Sequence, residues 1–205
     1  MKITITLFLT IIAASIINSI NCQELTIPLF NWDGDESDNV YYKDMDAQLN
    51  DFEGTWLYTN GNTSLKLVLQ KITMHFNGRC YQDIIIGEYQ YIENGVEKVN
   101  TLQDLANPNV SVDDHYIDGN DLHDNCGLHP TSDCIEGELR LFLGIVDPNN
   151  PYIGVVSLHK RIINNTPALN AYIGFEYSDG AIEEDEIKPE PSMPYGGEYL
   201  LIKQD

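Results

Sequence analysis

The stretch GTWLYTNGNTSLKLVLQKITMHFNGRCYQDIIIGEYQYIENG, residues 54–95, decides the fold. It holds three Asn-Gly pairs, Asn60-Gly61, Asn77-Gly78 and Asn94-Gly95, each between runs rich in β-branched and aromatic residues. Asn-Gly suits the positive φ angles of a two-residue type I′ hairpin turn. With Thr59 facing Asn62, Trp56 faces Leu65, Gly54 faces Leu67 and Phe52 faces Leu69, so one side of the pair is apolar or small throughout. Further on, Leu65, Leu67 and Leu69 are odd-numbered while Ile72, Met74 and Phe76 are even. One bulge near Gln70-Lys71 restores a single buried face. It pairs Leu69 with Ile85, Leu67 with Gly87, Leu65 with Tyr89 and Thr63 with Tyr91. Residues 52 to about 102 therefore read as a four-strand antiparallel meander.

A second meander occupies residues 138–204. A four-residue turn at Pro148-Asn149-Asn150-Pro151 sets Leu143 opposite Val156 and Leu141 opposite Leu158. A turn from Asn164 to Pro167 sets Val156 opposite Phe175 and Leu158 opposite Ile173, and Gly197 to Gln204 adds a last strand. The sum is an all-β chain, an up-and-down antiparallel β-barrel of about eight strands, with a β-sandwich as the alternative. Asp44 is placed to cap a short N-terminal helix carrying Met45, Leu49 and Phe52. Residues 44–205 form one barrel domain after an extended segment, 23–43. Long loops fall at 103–137 and at 178–196, the latter holding Glu183-Glu184-Asp185-Glu186.

Ahead of these lies Lys2 and an apolar run from Ile3 to Ile17, the pattern of a secretory signal peptide over residues 1–22. The run is shorter than the ~20 residues of a membrane-spanning helix. Cys22 follows Ser19-Ile20-Asn21, a poor lipobox, so a secreted or periplasmic protein is expected rather than an outer-membrane lipoprotein. In an oxidising compartment Cys126 and Cys134, close together in one loop, are the expected disulfide, with Cys80 left over as a small buried residue. The net charge of −21, from 32 acidic and 11 basic residues, argues against nucleic acid and anionic membranes as partners.

Asp51-Phe52-Glu53-Gly54-Thr55-Trp56 resembles the Gly-x-Trp start of the lipocalin and calycin barrels. That resemblance implies a Trp plugging the closed barrel end beneath a basic residue of a late strand, here Lys203 where the family usually has Arg. GTWLYTNGNTSLKLVLQK (54–71), IGEYQYIENGVEKVNTL (86–102) and GEYLLIKQ (197–204) are similar to an uncharacterised family of small secreted flavobacterial proteins, a domain of unknown function. That resemblance implies fold and export and names no activity.

No motif identifies a reaction, and no cofactor is implied. His123, Cys126, His129 and Cys134 are zinc-type ligands whose spacing matches no specific zinc motif, so a disulfide loop with solvated histidines is the simpler reading. Calcium held by Asp33, Asp35 and Asp38 lacks the EF-hand pattern. Ser157, His159 and Arg161 share a strand face that the register makes the outer one, where surface polar residues are expected. Glu88 also alternates outward, whereas a general acid with a raised pKa would need burial. Trp56, Tyr58, Tyr89, Tyr91 and Phe175 either fill a small barrel or line a site for one small apolar or amphipathic ligand, Gly54 and Gly87 leaving room beside them. The leading expectation is a non-enzymatic ligand-binding barrel. The alternative is a filled barrel that docks a basic protein partner through acidic loops.

Overall fold

The computed structural model describes residues 25–31, 37–178 and 188–204. The expected signal peptide, Asp33, Asp35 and the acidic run 183–186 lie outside these residues. The strands are β1 (Leu25–Pro28), β2 (Val40–Lys43), β3 (Gly54–Asn60), β4 (Thr63–Phe76), β5 (Tyr81–Glu93), β6 (Val96–Asn100), β7 (Ile117–His123), β8 (Arg140–Val146), β9 (Tyr152–Ile163), β10 (Thr166–Tyr177) and β11 (Gly196–Gln204). Strands β3, β4, β5, β7, β8, β9, β10 and β11 pair neighbour to neighbour and antiparallel, and β11 returns to β3. An eight-stranded up-and-down barrel results, and closure leaves these strands without a free edge.

The count of eight agrees with the sequence, but one member differs. Strand β6 pairs only with β5 and stays outside the barrel. Its expected place is taken by β7, which lies inside the presumed loop 103–137 and pairs Ile85 with Gly119 and Gly87 with Ile117. The edge of β5 opposite β4 is thus shared by β2 at Tyr81-Gln82, β7 at Ile85–Gly87 and β6 at Gln90–Glu93. Asp118, Gly119 and Asn120 interrupt the alternation of β7, which hid it.

Three registers slide by two residues from those expected. The first hairpin turns on Gly61-Asn62, so Trp56 faces Leu67 rather than Leu65. Gly61 alone has positive φ there, as in a type II′ turn. Leu69 faces Gly87, Leu67 faces Tyr89 and Leu65 faces Tyr91. Ile173 faces Val156, and Ala171 faces Leu158, around a turn at Asn164-Asn165 with φ of 51° and 65°. A slide of two keeps every side chain on its face, so the expected interior survives from Trp56 to Phe175 except at the end of β4, where Met74 and Phe76, expected inside, are exposed. The four-residue turn at 148–151 gives the pairing read from sequence, Leu143 with Val156 and Leu141 with Leu158.

The bulge lies at Thr73-Met74 instead of Gln70-Lys71. Buried Asp83 fixes it there, accepting hydrogen bonds from Met74 N (3.0 Å), Asp44 N (3.0 Å) and the Tyr41 hydroxyl (2.5 Å). No α-helix occurs among the described residues. The expected N-terminal helix is one 3₁₀ turn, Gln48–Asp51. Asp44 still caps it, accepting from Gln48 N (2.7 Å) and Leu49 N (2.9 Å), while Leu49 and Phe52 are buried and Met45 is exposed.

Candidate functional site

The five aromatic candidates all face the barrel interior, but they do not form one pocket. Trp56 lies near the start of β3, its indole N–H donating to Phe52 O (2.8 Å) and Lys203 Nζ standing 5.0 Å above its ring. Lys203 is its register partner on β11. Tyr58 and Tyr199 gather at the other end, rings 5.2 Å apart, with Tyr91 beside them. Tyr89 is opposite Leu67, the register partner of Trp56; its hydroxyl donates to Val146 O (3.0 Å), and burial with the nearby Asp147 and Glu88 carboxylates pushes its pKa well up. The Phe175 N–H donates to Tyr195 O (2.8 Å), just ahead of β11.

The room expected beside the glycines is filled. A Cβ on Gly87 would meet Leu69 Cδ2 at 2.5 Å and Val68 O at 2.9 Å, and one on Gly54 would meet Lys203 Cε at 3.0 Å. Leu65, Leu67, Tyr89, Leu141, Val156 and Leu158 are sealed from solvent. Met193 is buried over the mouth. Its segment is tied down by Asp147, which accepts from Ser192 N (2.6 Å) and Ser192 Oγ (2.8 Å), and by Tyr152, which donates to Pro189 O (2.8 Å). Tyr91 and Met193 border a groove of about 480 Å³ at this rim. A second groove, about 250 Å³, lies outside β9 and β10, where Tyr172 stacks on His129 at 5.5 Å near Tyr195 and Glu176.

Cys126 and Cys134 form the expected disulfide, and Cys80 is buried outside any disulfide. The four zinc-type residues are dispersed. Both sulfurs are in the disulfide, His123 bonds Asp121 (2.8 Å) with its ring edge on Phe142, and His129 lies on Tyr172.

The outer faces hold what the sequence reading missed. Ser157 and His159 do face outward, yet both are fully buried, because the disulfide-closed segment 124–138 lies across β8–β10. Arg140 donates to Leu128 O (2.8 Å) and to Asn125 O. Arg161 donates to Asp133 (2.7 Å) and Glu138 (3.0 Å), and Asn170 donates to Asp133 (2.7 Å). Those donors, Arg161 foremost, hold the Asp133 carboxyl well below the usual range. Desolvation and the two arginines push His159 down to about 4, so it is neutral. Across the barrel, Glu88 also points outward and is fully buried under residues 101–116, its Oε1 2.7 Å from His115 Nδ1. Burial raises its pKa despite Thr101 and His115. A surface groove at Val99–Asp104 and Tyr116 stops short of this pair.

Only the disulfide among these features was readable, from spacing. Nothing in the alternation of β5 or β9 tells that a loop from elsewhere in the chain lies on the outward side. Among the described residues no helix is long and apolar enough to cross a membrane. Neither a curated protein nor a solved structure matches the chain. A family model does match, over residues 1–204, and the chain belongs to that family, a family of unknown function (DUF6705).

Proposed function

We propose that this chain works outside the cytoplasm as a non-enzymatic interaction module, a filled barrel whose acidic surface docks a cationic protein partner. The carrying observation is the balance of exposed charge. Lys71, Arg79, Lys98, Lys160 and Arg161 are each paired with a carboxylate of the chain, Arg140 is buried, and Lys43, Lys188 and Lys203 stand over the rings of Tyr41, Tyr177 and Trp56, so few cations offset the acidic groups. Asp46, Asp114, Asp124, Glu176 and Glu190 are exposed and form no salt bridge with a lysine or arginine among the described residues. Such a surface attracts cations at a distance and loses that pull in salt. The packed interior removes the space an enclosed ligand would need. The disulfide is compatible with an extracellular or periplasmic location.

A second reading keeps a small apolar ligand at the mouth, on Tyr58, Tyr91 and Phe175, after displacement of Met193. The rim groove of about 480 Å³ favours it. One experiment separates the two. The oxidised protein is titrated with an oligoarginine peptide at low and high salt, and separately with an apolar fluorescent dye. Saturable peptide binding that salt abolishes, with no dye binding before unfolding, is expected. Saturable dye binding to folded protein, strengthened by Met193→Ala, would favour the ligand site instead.

A further inference from the structure

We propose that the outer face of β8 and β9, beneath the disulfide loop, is a binding site for a small oxyanion, a carboxylate or phosphate group, held by Arg140, Ser157 and His159. This site is separate from the acidic surface and does not depend on its partner.

The first observation is an uncompensated charge. The Arg140 guanidinium is fully buried, and its only hydrogen-bond acceptors among the described residues are two backbone carbonyls, Asn125 O and Leu128 O. Its Nε–H has no partner. Glu136 is the acidic group that acts on it electrostatically, but Glu136 Oε1 accepts from Cys126 N (3.1 Å) rather than from the guanidinium. Arg161, on the same face, shows the compensated alternative with its two carboxylates. A chain with 32 acidic residues has supplied none to hydrogen-bond Arg140. Buried charges are ordinarily paired, and an unpaired one is costly.

The second observation is independent of charge. Ser157 Oγ and both ring nitrogens of His159 are fully buried and also lack partners. Register makes these groups neighbours. Arg140 is directly opposite His159, and Phe142 directly opposite Ser157. The guanidinium carbon lies 4.7 Å above the Phe142 ring, which carries the head of Arg140 along the strand toward Ser157. Unmet donors from three side chains are thus gathered on one patch, and buried polar groups left this way call for a missing partner.

An oxyanion meets all three. It accepts from Arg140 Nε–H and Ser157 Oγ–H, and it draws a proton onto His159, which then donates as well. A water molecule would meet two of the hydrogen bonds and leave the guanidinium charge unneutralised. A metal cation is disfavoured by Arg140 and by Arg161 nearby. Segment 124–138, closed by Cys126–Cys134, is the cover of the site.

The test uses the oxidised full chain in anion-exchanged buffer, titrated at constant ionic strength with inorganic phosphate and, in parallel, with acetate. The His159 imidazole is followed by NMR. A saturable one-to-one shift of His159 is expected, with its pKa rising as the anion binds. The tighter of the two anions identifies the group. Ser157→Ala should weaken binding about fivefold, the loss of one hydrogen bond, with the disulfide still formed. Arg140→Gln should abolish it, and His159→Gln, which keeps a donor and cannot gain charge, should weaken it while staying folded. No saturable response to either anion, or the same response in Ser157→Ala, would overturn the proposal.

Discussion

Val156 and Leu158 face the barrel interior and Ser157 and His159 face away from it, yet all four are sealed from solvent. The inner pair is buried by closure of the sheet, against Leu141, Leu143, Ala171 and Ile173 across the neighbouring strands. The outer pair is buried by the disulfide-closed loop that joins β7 to β8 and folds back over the outside of the sheet. Apolar burial stabilises the first face, while unpartnered polar burial penalises the second. Alternation along a strand therefore tells which way a side chain points, and says nothing of whether something lies on top of it.

The comparison breaks most severely on the inner side. Trp56→Ala removes a buried ring that lies beneath Lys203, and should cost about 3–5 kcal/mol in urea unfolding. A loss under about 1 kcal/mol, the scale of surface changes, would show that the interior is not packed this way. The paired change Cys126→Ser with Cys134→Ser acts on the outer side alone and should cost about 2 kcal/mol. It should admit carbethoxylation of His159 while Leu65 and Val156 keep their hydrogen-exchange protection. Loss of both protections together would mean the two faces form one cooperative unit.

Gly87→Ala sharpens the inner half. Its Cβ would stand 2.5 Å from Leu69 Cδ2 and 2.9 Å from Val68 O, an overpacking cost of about 1–3 kcal/mol. A neutral or stabilising result would show that Leu69 and β4 give way at no cost and that the interior is looser than these contacts imply. Glu88 sharpens the outer half. Its folded pKa is raised above the ordinary 4.5, so its contribution to stability is full below that value and declines as pH rises through the folded one. Glu88→Gln should gain on the wild type between pH 4 and 7, read from paired urea titrations. The smallest effect is expected on the surface, where Lys160 and Asp51 pair at 2.6 Å with both side chains well exposed. Lys160→Ala should change stability by about 0–1 kcal/mol.

Facing was legible because it depends on parity alone. Trp56, Leu67, Tyr89, Val156 and Ile173 reach the interior even though three hairpin registers slid by two residues, since an even slide moves no side chain through the sheet. The exact slide was not legible, because Asn60-Gly61 and Gly61-Asn62 are competing two-residue turns within the five residues 59–63. The bulge was needed by parity, but its place depends on Asp83, a long-range acceptor for Met74 N–H. Strand β7 was hidden because its alternation is broken at Asp118–Asn120, and because it closes the barrel through pairing with β5 rather than through its own apolar content. The disulfide was legible from spacing. Its consequence, a polar patch sealed under residues 124–138, was not, since it depends on where the loop comes to rest.

The most direct test of the two-faced burial is the NMR titration of His159 in the oxidised protein, in buffer free of phosphate and carboxylate. A fully buried imidazole beside Arg140 and Arg161 should titrate near pH 4 and resist carbethoxylation at neutral pH. A midpoint near the ordinary value of 6.5, with ready modification, would place His159 in solvent and contradict the covered outer face.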